Sequence, residues 1–171
     1  TTGAVAGNTS AFANAITGNY YALRSAKWYT YWKFKTGASV ADVRYWIGNF
    51  SGDPSATDDL TTIPAYAFAV RFSTSAGDST FKFVTATTTA GNTATVTDTG
   101  VAVAASTLYH VEIWTDGTYG YCQINGGAII SSITNVSALS LSGNYAGLLK
   151  LTTLANAAKT FNFYKFAYEQ N

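Results

Sequence analysis

Two-residue alternation constrains this chain more than any other feature. In residues 28–35, Trp28, Thr30, Trp32 and Phe34 fall on one face of an extended backbone. Tyr29, Tyr31, Lys33 and Lys35 fall on the other. The pattern returns with Tyr66, Phe68, Val70 and Phe72 set against Ala67, Ala69 and Arg71, and it continues through Phe81 and Phe83 after a turn at Ala76-Gly77-Asp78. Strands are also expected over residues 42–50 (interrupted at Gly48), 101–103, 108–115, 119–124, 128–133, 148–151 and 161–168. The Thr-rich stretch 85–99 reads as an exposed strand or a long loop. Helical spacing is suggested only over 154–159, which is too short to organise a fold. The prediction is an all-β, antiparallel two-sheet sandwich. Residues 1–18, small and polar, read as a connector or lead-in strand, and 19–171 as a single domain without internal repeats.

Charge narrows the function. Only 11% of the 171 residues are charged, against roughly 25% in an average soluble domain. Ten Lys and Arg face nine Asp and Glu with no basic run, which argues against nucleic acid as a partner, since phosphate binding needs clustered cations. With 47% hydrophobic residues, intrinsic disorder is excluded. The exposed positions must be filled largely by Thr, Ser and Asn, a surface suited to life outside the cell or inside an assembly. No apolar stretch approaches the roughly 20 residues that span a bilayer, so membrane insertion is not expected. The start, Thr1-Thr2-Gly3-Ala4, lacks the basic and apolar regions of a signal peptide. Methionine is absent, which leaves open a removed initiator or a piece of a longer chain.

One hairpin can be drawn residue by residue. Asp116-Gly117 signals a two-residue turn, which would pair Trp114 with Tyr119, Glu112 with Tyr121 and His110 with Gln123. Val111, Ile113, Cys122 and Ile124 then share an apolar face, while His110, Glu112, Trp114, Tyr119, Tyr121 and Gln123 share a polar-aromatic one. A second turn at Gly126-Gly127 would set Ile124 opposite Ile129.

These segments also carry a resemblance. Asp98-Thr99-Gly100-Val101, then Leu108-Tyr109-His110-Val111-Glu112-Ile113, then Cys122-Gln123-Ile124-Asn125-Gly126-Gly127 resemble, in order, strands of the concanavalin A-like (laminin G-like) jelly-roll domain. Arg44-Tyr45-Trp46-Ile47-Gly48 and Tyr66-Ala67-Phe68 resemble that family's R-x-x-I-G and Y-x-F strands. Within the family the pattern is most similar to modules of tailed-phage virion proteins, on fibres, appendages and capsid decorations. Cys122 departs from the Phe or Tyr usual at its position. The resemblance implies a sandwich with one concave sheet and implies no activity, because the fold hosts lectins, glycan hydrolases and purely structural modules.

Catalysis fits poorly. Glycoside hydrolysis needs two converging carboxyl groups, yet the only glutamates are Glu112 and Glu169, and the E-x-D-x-x-E strand of this fold's hydrolases is missing. His110 has no accompanying nucleophile motif, and Cys122 reads as a small core hydrophobe. Asp53, Asp58 and Asp59 offer oxygen ligands for Ca²⁺, but Pro54 interrupts them and no EF-hand spacing results, so a solvated acidic loop is the preferred reading and no cofactor is expected. The polar-aromatic hairpin face combines platforms for sugar rings with planar polar groups, and a contact with another subunit would use the same residues. The expectation is a non-enzymatic structural protein on a phage virion surface, partnered by other virion proteins or copies of itself and able to bind cell-surface glycan. The alternative is a carbohydrate-binding module or degenerate glycanase domain of a secreted bacterial protein.

Overall fold

Alternating faces demand two layers, because each strand buries one side and exposes the other. The computed structural model describes residues 9–14, 21–22, 27–50, 54, 58, 67–87, 93–132 and 144–170. Among them run β1 (Thr9–Asn14), β2 (Tyr21–Ala22), β3 (Trp28–Thr36), β4 (Val43–Phe50), β5 (Ala67–Ser73), β6 (Thr80–Thr87), β7 (Thr93–Ala102), β8 (Leu108–Thr115), β9 (Gly120–Ile124), β10 (Ile130–Ser131), β11 (Asn144–Thr153) and β12 (Phe161–Gln170). One sheet has the order β1-β11-β4-β5-β6-β7, with β2 also pairing β11, and the other has the order β10-β9-β8-β3-β12. Every pairing is antiparallel. This is the all-β sandwich that the alternation predicts. Residues 154–159 contain bends and no helix, and the Thr-rich stretch supplies the end of β6 and most of β7.

The core lies between the sheets. Trp28, Trp32, Phe34, Tyr109, Val111, Ile113, Cys122 and Ile124 point inward from the five-stranded sheet and meet Tyr45, Ile47, Phe68, Phe72, Phe81 and Phe83 from the other. Aromatic edges lock the layers together: Trp28 meets Phe68 at 5.1 Å and Phe81 meets Tyr109 at 4.9 Å, both T-shaped. The buried Tyr109 hydroxyl donates to the Ala102 carbonyl (3.0 Å) and accepts from Ala104 N–H (2.8 Å), so its polar tip is satisfied. In β12 the inward residues are Phe161, Phe163, Phe166 and Tyr168, and the three-residue step from Phe163 to Phe166 is absorbed by a bulge at Phe163/Lys165.

The middle strands of the seven-stranded sheet, β4 and β5, are buried on both faces. All eight residues of β4 are buried, and Trp46, Phe50, Ala67, Ala69, Val84, Ala86 and Leu148 form a second apolar cluster on its outer face. Arg71 lies over the Trp46 ring at 5.9 Å. Pro54 is buried, and Asp58 pairs with Arg44 and accepts a hydrogen bond from Ser75. Asp58 is thus an ion-pair anchor, neither a solvated loop residue nor a free calcium ligand. Asp53 and Asp59 lie outside the described residues, as does Tyr66. No cluster of three or more metal-ligating side chains occurs among the described residues.

Candidate functional site

With the middle of the other sheet buried on both faces, the five-stranded sheet offers an open outer face. Its strands show strict alternation of buried and half-buried residues in β3 and β9, and the half-buried set carries the polar and aromatic groups. The ladder aligns them in rows. Glu169, Tyr29, Trp114 and Tyr121 occupy one row, and Ala167, Tyr31, Glu112 and Gln123 the next. A third row holds Lys165, Lys33 and His110.

The hairpin keeps its predicted faces but not its predicted register. Trp114 pairs with Tyr121 and Glu112 with Gln123, a shift of two residues that leaves every side chain still within the two strands on its expected side. Asp116, Gly117, Thr118 and Tyr119 form a four-residue loop in place of a two-residue turn. The Asp116 carboxylate accepts from Thr118 N–H (2.7 Å) and Tyr119 N–H (2.8 Å), and Thr115 Oγ1 donates to the Tyr119 carbonyl (2.8 Å). Only Gly117 in this loop takes a positive φ, of 94°, so Asp116 escapes the left-handed conformation that a type I′ turn would impose on it. Tyr119 accordingly leaves the strand face and sits in the loop, 40% exposed. The next turn also moves. Asn125 and Gly126, with φ of 53° and 68°, replace Gly126-Gly127 at its centre, and Ile130 pairs with Cys122. That change turns Ile129 outward, where it is 58% exposed, and Ile130 takes the place against the core expected of it.

These details build a shaped surface. Trp114 and Tyr121 stack at 5.5 Å with 17° between their planes. The Tyr121 hydroxyl donates to Asp116 Oδ2 at 2.7 Å. The Tyr119 N–H, the Tyr121 hydroxyl and the Thr118 N–H together hold the Asp116 carboxyl down at about 2. Burial and a hydrogen bond to Glu112 raise the Tyr29 phenol, which therefore stays a donor to that carboxylate at neutral pH. Gln123 Nε2 donates to the Gly127 carbonyl at 2.7 Å, which leaves its amide oxygen to accept. A hollow of about 420 Å³ is lined by Lys27, Trp28, Tyr29, Glu112, Trp114, Thr115, Asp116, Gln123 and Ile129. A neighbouring one of about 300 Å³ is lined by Leu108, His110, Glu112, Asn125 and Gly126.

Of the six residues singled out from sequence, Glu112, Trp114 and Gln123 line the first hollow and His110 the second. Tyr121 buttresses Trp114, and Tyr119 lines neither. Tyr29, Tyr31 and Ile129 join them unannounced. The alternation of β3 already put Tyr29 and Tyr31 on an outward face, but only the pairing of β3 with β8 brings them beside Trp114 and Glu112. As for acid–base chemistry, Asp116 stands in the loop beyond the end of β8, and its oxygens are engaged by Thr118 N–H, Tyr119 N–H and the Tyr121 hydroxyl.

No protein-family profile and no curated protein matches this sequence. Solved structures do match in fold. The chain is similar to a double-cysteine variant of alginate lyase A1-II′, with a TM-score of 0.56, 11% identity, and coverage of 95% of this chain and 71% of that one. It is similar to the carbohydrate-binding module CBM66 from Bacillus subtilis, with a TM-score of 0.54, 11% identity, and coverage of 94% and 81%. It is also similar to the CBM2 module of the evolved Dit protein of Lactobacillus casei BL23 phage J-1, with a TM-score of 0.55, 12% identity, and coverage of 98% and 73%. Across such structures it spans between 66% and 81% of the other chain's length. The fold is the concanavalin A-like jelly roll. Enzymes and binding modules share it, and at these identities the likeness speaks for the fold alone.

Proposed function

We propose that this chain is a non-catalytic jelly-roll module that binds carbohydrate through the outer face of its five-stranded sheet, displayed on a tailed-phage particle as part of a fibre, appendage or capsid decoration. The observation that carries this reading is the row Tyr29–Trp114–Tyr121 beside a hollow edged by Glu112 and Gln123. Sugar rings present C–H-rich faces that stack on aromatic planes, and their hydroxyls bond to carboxylates and amides. The row supplies the planes, and the hydrogen bonds of Glu112, Asp116 and Gln123 pre-orient the polar groups before a ligand arrives. The loop's hold on Asp116 favours binding over turnover, since a carboxylate so engaged is a poor acid or nucleophile. The phage Dit module of the same fold supports the virion setting. Many copies on one particle would gain avidity from individually weak sites.

A second reading, a carbohydrate-binding module of a secreted bacterial protein, is favoured by the fold shared with CBM66 from Bacillus subtilis. Gene neighbourhood separates the two: capsid and tail genes favour the first, and a glycosidase domain in the same chain favours the second. A glycan array tests what they have in common. Wild type should bind, and Trp114→Ala should weaken binding at least tenfold, as expected for an aromatic anchor. If no glycan binds while Trp114→Ala disrupts particle assembly, the face is a subunit contact and the proposal fails.

A further inference from the structure

The open face is electrically lopsided. Three cations elsewhere among the described residues are paired with aspartates: Arg44 with Asp58, Arg71 with Asp78 (3.0 Å) and Lys82 with Asp98 (2.6 Å). On the open face, Lys33 and Lys165 stand directly opposite each other on neighbouring strands, and Lys35 follows two residues further along β3. None of the three has an ion-pair partner among the described residues. Glu112 is diagonal to Lys33, but it accepts the Tyr29 hydroxyl. Like charges placed opposite each other across a ladder are destabilising, so the arrangement opposes folding until something neutralises it.

Tyr31 organises this end. The Lys165 ammonium lies over its ring at 5.8 Å, and its hydroxyl shares a 2.9 Å hydrogen bond with His110 Nδ1. The imidazole is thereby fixed edge-on to Tyr31, with Nε2 left unpartnered among the described residues. When Tyr31 donates to Nδ1, the ring proton resides on Nε2, which becomes a donor beside Lys33. The two hollows share Glu112 and follow one another along β8, whose residues Leu108 to Thr115 span about 23 Å of extended strand. The Trp114 end carries aromatic planes and carboxylates, and at the other end Lys33 and Lys165 of β3 and β12 lie in one row with His110, whose own hollow also holds Glu112.

We propose that the ligand of this face is an acidic polysaccharide, lying along β8 with an uncharged ring face on Trp114 and an anionic substituent among Lys33, Lys165 and His110. This inference rests on the glycan-binding reading above and adds the ligand's charge and its direction. Carboxylate, sulfate and phosphate substituents present the same chemistry to these donors, and the cationic end would also speed capture of a polyanion.

The test compares matched polymers: a polyuronate and its carboxyl-reduced form, a sulfated glycan and its desulfated form, and a phosphorylated glycan and its dephosphorylated form. Affinity electrophoresis or calorimetry is run at low and high salt. Wild type should prefer at least one acidic member about tenfold at low salt, the pair that shows the preference identifies the substituent, and the preference should shrink as salt screens it. The double variant Lys33→Gln/Lys165→Gln, checked for an unfolding midpoint no lower than that of wild type, should lose about tenfold on that acidic polymer and keep its affinity for the neutral one, whereas Trp114→Ala weakens both. Equal binding of acidic and neutral forms by wild type, or a preference that survives in the double variant, overturns the inference and leaves the glycan face standing. Binding to neither form overturns both.

Discussion

Gly48 offers a sharp test of how rigidly the strands of this sandwich are held. It sits in β4 opposite Ala69 of β5 and Leu148 of β11, with φ of 147°. A Cβ there would meet the Phe68 carbonyl oxygen at 2.3 Å, Ala69 Cα at 2.6 Å and Ala69 Cβ at 2.9 Å. The first two are backbone atoms of a strand that is itself pinned by β6, so no rotamer change relieves the clash. The positive φ costs a substituted residue about 1–3 kcal/mol, and overpacking adds about 1–3 kcal/mol. Gly48→Ala should therefore lose about 4 kcal/mol, a large share of the roughly 5–15 kcal/mol by which domains are stable. For a chain of this length that is a fall of about 8–16 °C in Tm.

Gly77→Ala is the matched control. Gly77 has φ of 73° but open space around its Cβ position, so only the left-handed backbone is penalised, by about 1–2 kcal/mol. Urea unfolding followed by tryptophan fluorescence reports both variants, because Trp28, Trp32 and Trp46 are all buried. The two should differ by about 2–3 kcal/mol at equal m values. A difference below about 1 kcal/mol would mean that β4 and β5 separate at little cost, and it would refute the steric argument for glycine at this position.

Two further predictions concern titratable groups. Burial, with a lesser contribution from the Glu112 charge, pushes the Cys122 thiol far up, so a thiol reagent should label it only after unfolding, and rapid labelling of the native protein would show that β8 and β9 open locally. For Asp58, burial alone would raise the carboxyl, but hydrogen bonds from Arg44, Ser73 and Ser75 hold it at about 2, below its ordinary 3.8. A carboxyl lowered by folding adds stability that is complete above its unfolded value and drains away as pH falls toward the folded one. Asp58→Asn should accordingly flatten the loss of stability between about pH 4 and pH 2 in urea titrations, and a slope equal to that of wild type would show that the Arg44 pair does no anchoring.

What the sequence discloses here follows the range of the forces involved. Alternation is local, so the buried stripe Trp28–Trp32–Phe34 and the partition of β8 and β9 are legible from the chain itself. The Asp98-Thr99-Gly100 motif is local too: Gly100 takes φ of 70°, its N–H bonds to Asp98 Oδ1 at 2.8 Å, and Thr99 Oγ1 donates to the Phe81 carbonyl at 2.7 Å. Register is less legible, because it turns on which of two turn geometries satisfies more donors. The Asp116 carboxylate, by capping Thr118 and Tyr119, tips the choice to the longer loop. At Ile129 the error is a single residue, and a single residue is enough to reverse a face.

The role of Asp58 was hidden for another reason. Its partner Arg44 is fourteen positions away, and an acidic loop written as Asp-Pro-Ser-Ala-Thr-Asp-Asp looks the same whether it is solvated, metal-bound or ion-paired. The cationic end of the site needed still more distant information. Lys33 and Lys35 are plainly on one face of β3, but Lys165 becomes their neighbour only because β12 pairs with β3, and His110 only because β8 pairs with its other edge. A chain so poor in charge therefore concentrates what it has. Arg44, Arg71 and Lys82 are tied to aspartates, and three of the remaining lysines meet on the outer face of the five-stranded sheet, where an anionic ligand would relieve the repulsion that the fold itself leaves unbalanced.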